Sequence, residues 1–215
     1  MIISILNQKG GVGKTTLSIH ISSTLALAGK KVLLIDADVQ RSALDWASSR
    51  NSDPIFSVVG ISTNTIHKEI QLLKQNYDFI IIDGPPRVYD VARSAIAASD
   101  VIIIPVQPSP YDVWSAKEVV DLIKEVREPL QVYKKIKAAF IINRKISNSV
   151  IGRDVVEALE QYSDISVLKS TITQRVSYAE TASRGTSTIE EDPESNAGKE
   201  IRNLTEEIIK FGKDI

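Results

Sequence analysis

Residues 2–17 read IISILNQKGGVGKTTL. An apolar run, Ile2 to Leu6, gives way to three glycines and two lysines, then to the helix-like stretch Leu17 to Leu27. Strand, glycine-rich turn and helix start, in that order, are the opening unit of a parallel α/β sheet. Gly10, Gly11 and Gly13 let backbone N–H groups turn inward, toward an anion held at the positive end of the following helix. Two lysines in one such loop need two explanations.

Outward from this stretch, short β-branched runs alternate with longer segments of helical period, which predicts a mostly parallel central sheet with helices on both faces. Strands are expected at about 2–6, 32–36, 56–59, 79–83, 101–106, 137–142 and 165–168. VLLID (32–36), FIIID (79–83) and VIIIPV (101–106) are apolar on both alternations, as central strands covered on two sides must be. The strand at 56–59 and the last one are expected at the edges. Helices fit at about 14–29, 41–50, 66–76, 88–98, 112–127, 149–162, 176–184 and 196–212, with Gly29 ending the first and Pro129 following the fifth. The polar, acidic segment GTSTIEEDPESNAGK (185–199) is expected to be a long surface loop. With 215 residues, 43% of them apolar and evenly spread, the chain is expected to form a single domain over residues 1–215.

The chain has no cysteine, which excludes disulfides, thiolate zinc sites and iron–sulfur clusters and fits a reducing cytosol. Met1 leads straight into strand residues and no run reaches a membrane span, so a cytoplasmic protein without an export signal is expected. The net charge of −1 gives no global signal for nucleic acid, but the charge is segregated: residues 129–153 hold Lys134, Lys135, Lys137, Arg144, Lys145 and Arg153 and no acid. The first three precede a strand that Arg144 and Lys145 follow, so at ~3.3 Å per residue the two groups lie more than roughly 20 Å apart. Arg144, Lys145, Arg153, Arg175 and Arg184 are the set expected to share one edge as a DNA-phosphate surface.

The general phosphate-loop pattern G-x-x-x-x-G-K-[ST] is met at Gly13, Lys14 and Thr15, but Gln8 stands where its first glycine belongs. Phosphate is expected along Gly10, Gly11, Val12, Gly13, Lys14, Thr15 and Thr16, with Lys14 on the β- and γ-phosphates and Thr15 on Mg²⁺. Asp36 and Asp38, two residues apart at a strand end, share a face; a strand-end or helix-cap role is open to either. Asp83 ends another apolar strand, where ligands of open α/β sheets collect. After the strand at 137–142 the chain reads Asn143, Arg144, Lys145, Ile146. A guanine site of the N-K-x-D kind lacks its aspartate there, which favours adenine. Read from the residues alone, Lys9 is a surface charge.

NQKGGVGKTT resembles the deviant Walker A motif of the ParA/MinD family of ATPases. The likeness extends to VLLIDADVQ, similar to the family's D-x-D-P-Q element with Val39 in place of proline, to FIIIDGPP as its Walker B, and to PVQPSPYD (105–112) and TITQRVSYAE (171–180). The resemblance implies a P-loop ATPase using ATP and Mg²⁺ that dimerises on ATP, with Lys9 crossing the interface to the partner's phosphates. Catalytic roles then fall to Lys9, Lys14 and Asp38, Asp38 orienting the attacking water. The metal shell falls to Thr15, Asp38 and Asp83, and the base contact to Asn143, with the loop at 172–178 as a wall.

Relatives that bridge a cluster with interface cysteines are excluded by composition. The stripe Ile201, Leu204, Ile208 and Phe211 shares its helix with Glu206 and Glu207, so a core-facing helix is expected and stable membrane binding is not. The chain opens on the phosphate-loop strand, which implies the small ParA type: a partition ATPase that binds DNA without sequence preference, is nucleoid-associated when ATP-bound and works with a centromere-binding, ParB-like protein. A ParA-like positioner of protein cargo is the nearby alternative. A ligase of the dethiobiotin synthetase kind is a third, for which no separate substrate motif is present.

Overall fold

The computed structural model describes residues 1–146 and 151–213, with the side chains at 151–153 left aside. Seven strands form one sheet: β1 (Ile2–Ile5), β2 (Val32–Asp36), β3 (Ser57–Gly60), β4 (Phe79–Asp83), β5 (Val101–Val106), β6 (Lys137–Lys145) and β7 (Ser166–Thr173). Their order is β3-β2-β4-β1-β5-β6-β7, and every neighbouring pair is parallel. The sheet places β3 and β7 at the edges, as the sequence pattern predicts. Both β6 and β7 run past their expected ends, through register shifts between Phe140 and Ile142 and between Ile142 and Lys145.

The double-sided apolar pattern of the central strands is explained by two cores. Ile2, Leu33, Ile35, Ile80, Ile82, Ile102 and Ile104 face one core, completed by α3 (Ile66–Leu73), α4 (Tyr89–Ala98), α5 (Pro110–Leu130) and α6 (Ile151–Glu160). Ile3, Ile5, Val32, Leu34, Ile81, Val101 and Ile103 face the other, covered by α1 (Lys14–Leu27), α2 (Ser42–Ser48) and α9 (Asn196–Lys213), with Tyr178 of α7 (Ser177–Ser183) packed against it. Successive residues of one strand thus enter opposite cores.

Two expectations are corrected. Pro129 does not follow the fifth helix but lies inside its last turn; it removes the N–H that would reach the Glu125 carbonyl, and the turn still closes through the Gln131 N–H on the Arg127 carbonyl at 2.9 Å. The 185–199 segment is not a long solvated loop: it holds the short α8 (Thr188–Glu191) and the start of α9, and Ser187, Thr188 and Ile189 are buried. Trp46 Nε1 donates to the Thr186 carbonyl at 3.0 Å, Arg50 donates to the Gly185 carbonyl at 3.0 Å, and Arg50 pairs with Glu190 at 2.6 Å. Gly185 sits at φ +62, where a Cβ would lie 2.4 Å from the Arg50 backbone nitrogen, so no other residue fits this approach.

The apolar stripe of α9 faces inward, with Ile201, Leu204 and Ile208 fully buried and Phe211 packed on the same core. Its acids seal the edge strand: Glu207 accepts the N–H groups of Lys169 and Ser170, each at 2.8 Å, and Glu200 accepts that of Thr173 at 2.9 Å. Among the described residues no helix is long and apolar enough to cross a membrane.

Candidate nucleotide site

β1, β2 and β4 are adjacent, and the register sets Ile5 beside Asp83 and Asp83 beside Asp36. Parallel pairing therefore delivers the glycine loop and the carboxylates to one end of the sheet. The loop between β1 and α1 turns through Gly11 (φ +75) and Gly13 (φ +93), and a Cβ at Gly13 would stand 2.3 Å from Asn143 Nδ2. Its carbonyls are held from outside: Asn143 Nδ2 donates to Val12 at 2.7 Å and Gln107 Nε2 to Gly11 at 3.0 Å. Asn7 Nδ2 donates to the Pro105 carbonyl at 2.8 Å while its Oδ1 accepts the Lys9 N–H at 2.9 Å. With the carbonyls tied outward, the loop's N–H groups are left to face an anion.

Lys14 is buried and donates from Nζ to the Lys9 carbonyl at 3.0 Å. Burial lowers its pKa, and the charges of Asp83 and Asp38 oppose that shift. Thr15 Oγ1 donates to Asp83 at 2.6 Å, and Ser18 Oγ to its other oxygen at 3.3 Å. Burial pushes the Asp83 carboxyl up to about 7, with the Thr15 hydrogen bond working against it and the Asp36 charge adding to it. Asp36 caps α2: its oxygens accept the N–H groups of Ala43 at 2.9 Å, Leu44 at 3.1 Å and Asp38 at 3.1 Å. Burial raises its pKa and those three N–H groups lower it. Asp38 is half-buried and spends one oxygen on the Gln40 N–H at 3.0 Å.

A cleft of about 710 Å³ opens beside the loop, with walls that include Gly10, Gly13, Lys14, Thr15, Thr16, Asp38, Pro86, Arg144 and Tyr178. A larger groove of about 870 Å³, between Trp46, Phe56, Tyr77 and Lys30 beside β3, contains none of the loop or the carboxylates. A hydroxyl and a carboxylate 2.6 Å apart, facing a phosphate loop, suit Mg²⁺, which takes one or two protein oxygens and completes its shell with phosphate and water. Among the described residues no group of three or more His, Cys, Asp or Glu forms an all-protein metal cage.

The structure treats the remaining expected residues unequally. Asn143 is buried under the loop with its amide nitrogen committed to Val12, a bracing role beside the base contact expected of it. Lys9 is not a loose surface charge; its Nζ pairs with Asp112 at 2.7 Å. Two of the expected DNA cations are paired within the chain: Arg175 with Glu200 at 2.7 Å, and the exposed Arg184 with Glu191 through two bonds of 2.9 and 2.6 Å. The side chain of Arg153 lies outside the described residues. Arg144, at φ +53, and Lys145 join no ion pair among the described residues. Asn7, Ser18, Gln107 and Asp112 escaped the sequence reading. The only signal for the last two was PVQPSPYD, a stretch with a family likeness but no assigned chemistry.

A glycine loop between strand and helix, a buried lysine, and a Thr–Asp pair at the carboxyl end of a parallel sheet define a P-loop nucleotide-binding protein. Residues 3–189 match the CobQ/CobB/MinD/ParA nucleotide binding domain, and the chain belongs to this ParA/MinD family. It is 30% identical to the maintenance of carboxysome distribution protein A of Halothiobacillus neapolitanus, over 96% of this chain and 95% of the relative. It is 25% identical to the chromosome-partitioning ATPase Soj of Thermus thermophilus, over 96% and 94% of the two chains. The septum site-determining protein MinD of Pyrococcus horikoshii, solved with Mg-ADP, shares the fold at a TM-score of 0.76 and 22% identity, over 98% of this chain and 96% of that one.

Proposed function

We propose that the chain is a Mg²⁺-dependent ATPase of the DNA-partition kind, which dimerises on ATP, binds DNA without sequence preference and is cytoplasmic and nucleoid-associated when ATP-bound. A centromere-binding, ParB-like protein is its stimulating partner. The observation that carries the reading is the cleft lined by Lys14, Thr15 and Asp38, with Asp83 held on Thr15 at 2.6 Å and a second lysine, Lys9, whose carbonyl takes Lys14 Nζ at 3.0 Å. The relation to a chromosome-partitioning ATPase supports the biological role.

Lys14 exchanges the Lys9 carbonyl for phosphate oxygens and offsets their charge. Thr15 and Asp83 would hold Mg²⁺, which when bound neutralises charge on the transferring phosphoryl group. Since Asp36 has its oxygens on three backbone N–H groups, Asp38 is the carboxylate left to orient water. Lys9 supplies a further cation to the partner's γ-phosphate, in the manner of an arginine finger. Arg144 and Tyr178, which line the cleft, bound the base side with Asn143 as the expected base contact behind the loop, and the missing aspartate after Asn143 favours adenine.

The test is phosphate release from ATP, measured with and without non-specific duplex DNA and the product of the adjacent gene. Joint stimulation is expected. Asp38→Ala should still bind ATP but lose on the order of a hundredfold or more in turnover, and unchanged turnover would remove Asp38 from its role. The relation to a carboxysome distribution protein favours a second reading, positioning of a protein cargo, which uses the same ATP cycle.

A further inference from the structure

Asp112 lies in the first turn of α5, two residues after Pro110, with its side chain 2% exposed. A carboxylate in a first turn normally serves the helix by accepting its free N–H groups. This one does not. Its Oδ2 takes the Lys9 ammonium at 2.7 Å, and its Oδ1 is buried without a partner. Its backbone is fixed, with the Asp112 N–H on the Ser109 carbonyl at 3.0 Å and the Asp112 carbonyl accepting Ser115 Oγ at 2.9 Å. The carboxylate is therefore built for Lys9, and the charge at the helix N-terminus lets it persist there.

Lys9 is also tied by its main chain, since its carbonyl accepts Lys14 Nζ at 3.0 Å. The two lysines are thus linked through one residue: Lys14 binds the backbone of Lys9, and Lys9 binds Asp112.

We propose that Asp112 is a positioning residue that keeps Lys9 within its own subunit until nucleotide arrives. Phosphate draws Lys14 off the Lys9 carbonyl, residue 9 loosens, and the Lys9 ammonium leaves Asp112 for the partner's phosphates. The inference rests on the reading that Lys9 acts across a dimer. Asp112 cannot travel with the lysine, because it is buried on a rigid helix turn, and a polyphosphate cannot approach a buried carboxylate without repulsion. Exchange rather than sharing follows. The cost of leaving Asp112 unpaired sets a threshold that only a bound triphosphate on the opposite subunit offsets, so futile dimers of empty chains are disfavoured.

The test is a cycle of Asp112→Asn, Lys9→Ala and the double variant, read by sedimentation and by phosphate release at limiting protein concentration. Asp112→Asn keeps the shape and removes the charge that holds Lys9. ATP-dependent dimers should form about tenfold more tightly, the ratio that corresponds to roughly 1.4 kcal/mol. Basal turnover per chain should rise with them, while affinity for ADP, which does not drive dimerisation, stays unchanged. In the Lys9→Ala background the same change should do nothing. Weaker or unaltered dimers in Asp112→Asn, or an effect that persists without Lys9, overturn the proposal. Normal ATP dimers and turnover in Lys9→Ala alone would instead defeat the reading on which it rests. Should Asp112→Asn misfold by thermal melting, Asp112→Ser in the same sedimentation decides: ATP-dependent dimers should again be tighter than wild type, and weaker or unaltered dimers reject the latch.

Discussion

His20 shows what a single residue can hide from sequence reading. It is one polar position on α1, yet it is fully buried: its Nδ1 bonds the Thr16 carbonyl at 2.8 Å, its Nε2 accepts the Thr188 N–H at 3.2 Å, and Tyr178 meets it edge-on with ring centroids 5.0 Å apart. Both ring nitrogens are satisfied only by the neutral ring, with its proton on Nδ1. Burial pushes its pKa down to about 4, against opposing influences from the Thr16 bond and Glu190. The unfolded chain therefore binds more protons between the folded and the ordinary values, and this contribution to stability is lost as pH falls from about 6.5 to about 4. The full loss is on the order of 3 kcal/mol at ~1.36 kcal/mol per pKa unit. Urea unfolding at pH 7 and pH 4.5 should show His20→Gln less stable than wild type at neutral pH, with the gap narrowing in acid. An equal gap at both values would mean that the ring is not held neutral. The phosphate-loop residues were legible because their chemistry is local; His20 and Asp112 were not, because each is defined by a partner more than 100 positions away.

At the scale of elements, the strands were readable because a strand buried on both faces has no polar alternation to mislead. The segment at 185–199 was not, because its acids resemble solvated ones until Arg50 and Arg184 are seen to pair with them. Arg175, expected among the DNA cations, is likewise paired within the chain. In the fold it joins β7 to α9: Glu200 accepts the Thr173 N–H, the Thr173 hydroxyl and Arg175 together, and these hydrogen bonds lower its pKa against burial. Arg175→Met should cost about 1 kcal/mol, the scale of a partly exposed ion pair, and should leave the salt dependence of DNA binding unchanged. A flatter salt slope in this variant, at wild-type stability, would return Arg175 to the DNA surface.

For the whole molecule, the sequence showed segregated charge but not which cations the fold would consume. Among the described residues of the expected set, Arg144 and Lys145 remain, on the same end of the sheet as the nucleotide cleft, with Arg144 in its wall. Two phosphate contacts per chain give a log–log salt slope of about −2, and a dimer that presents both sets on one rigid body gives about −4, with avidity added. DNA binding should therefore be strong with ATP, weak with ADP and indifferent to sequence. Replacing Lys145, which is not in the cleft lining, with alanine should flatten the slope of the ATP form from about −4 toward about −2 and leave nucleotide affinity intact, measurable by fluorescence anisotropy across a salt series. Equal DNA affinity with ADP and ATP, or a strong preference for one sequence, would break the link between dimer and DNA. Positioning of a protein cargo would then be the better account of the same ATP-driven pairing, since the latch on Lys9 and the carboxylates of the cleft serve either purpose.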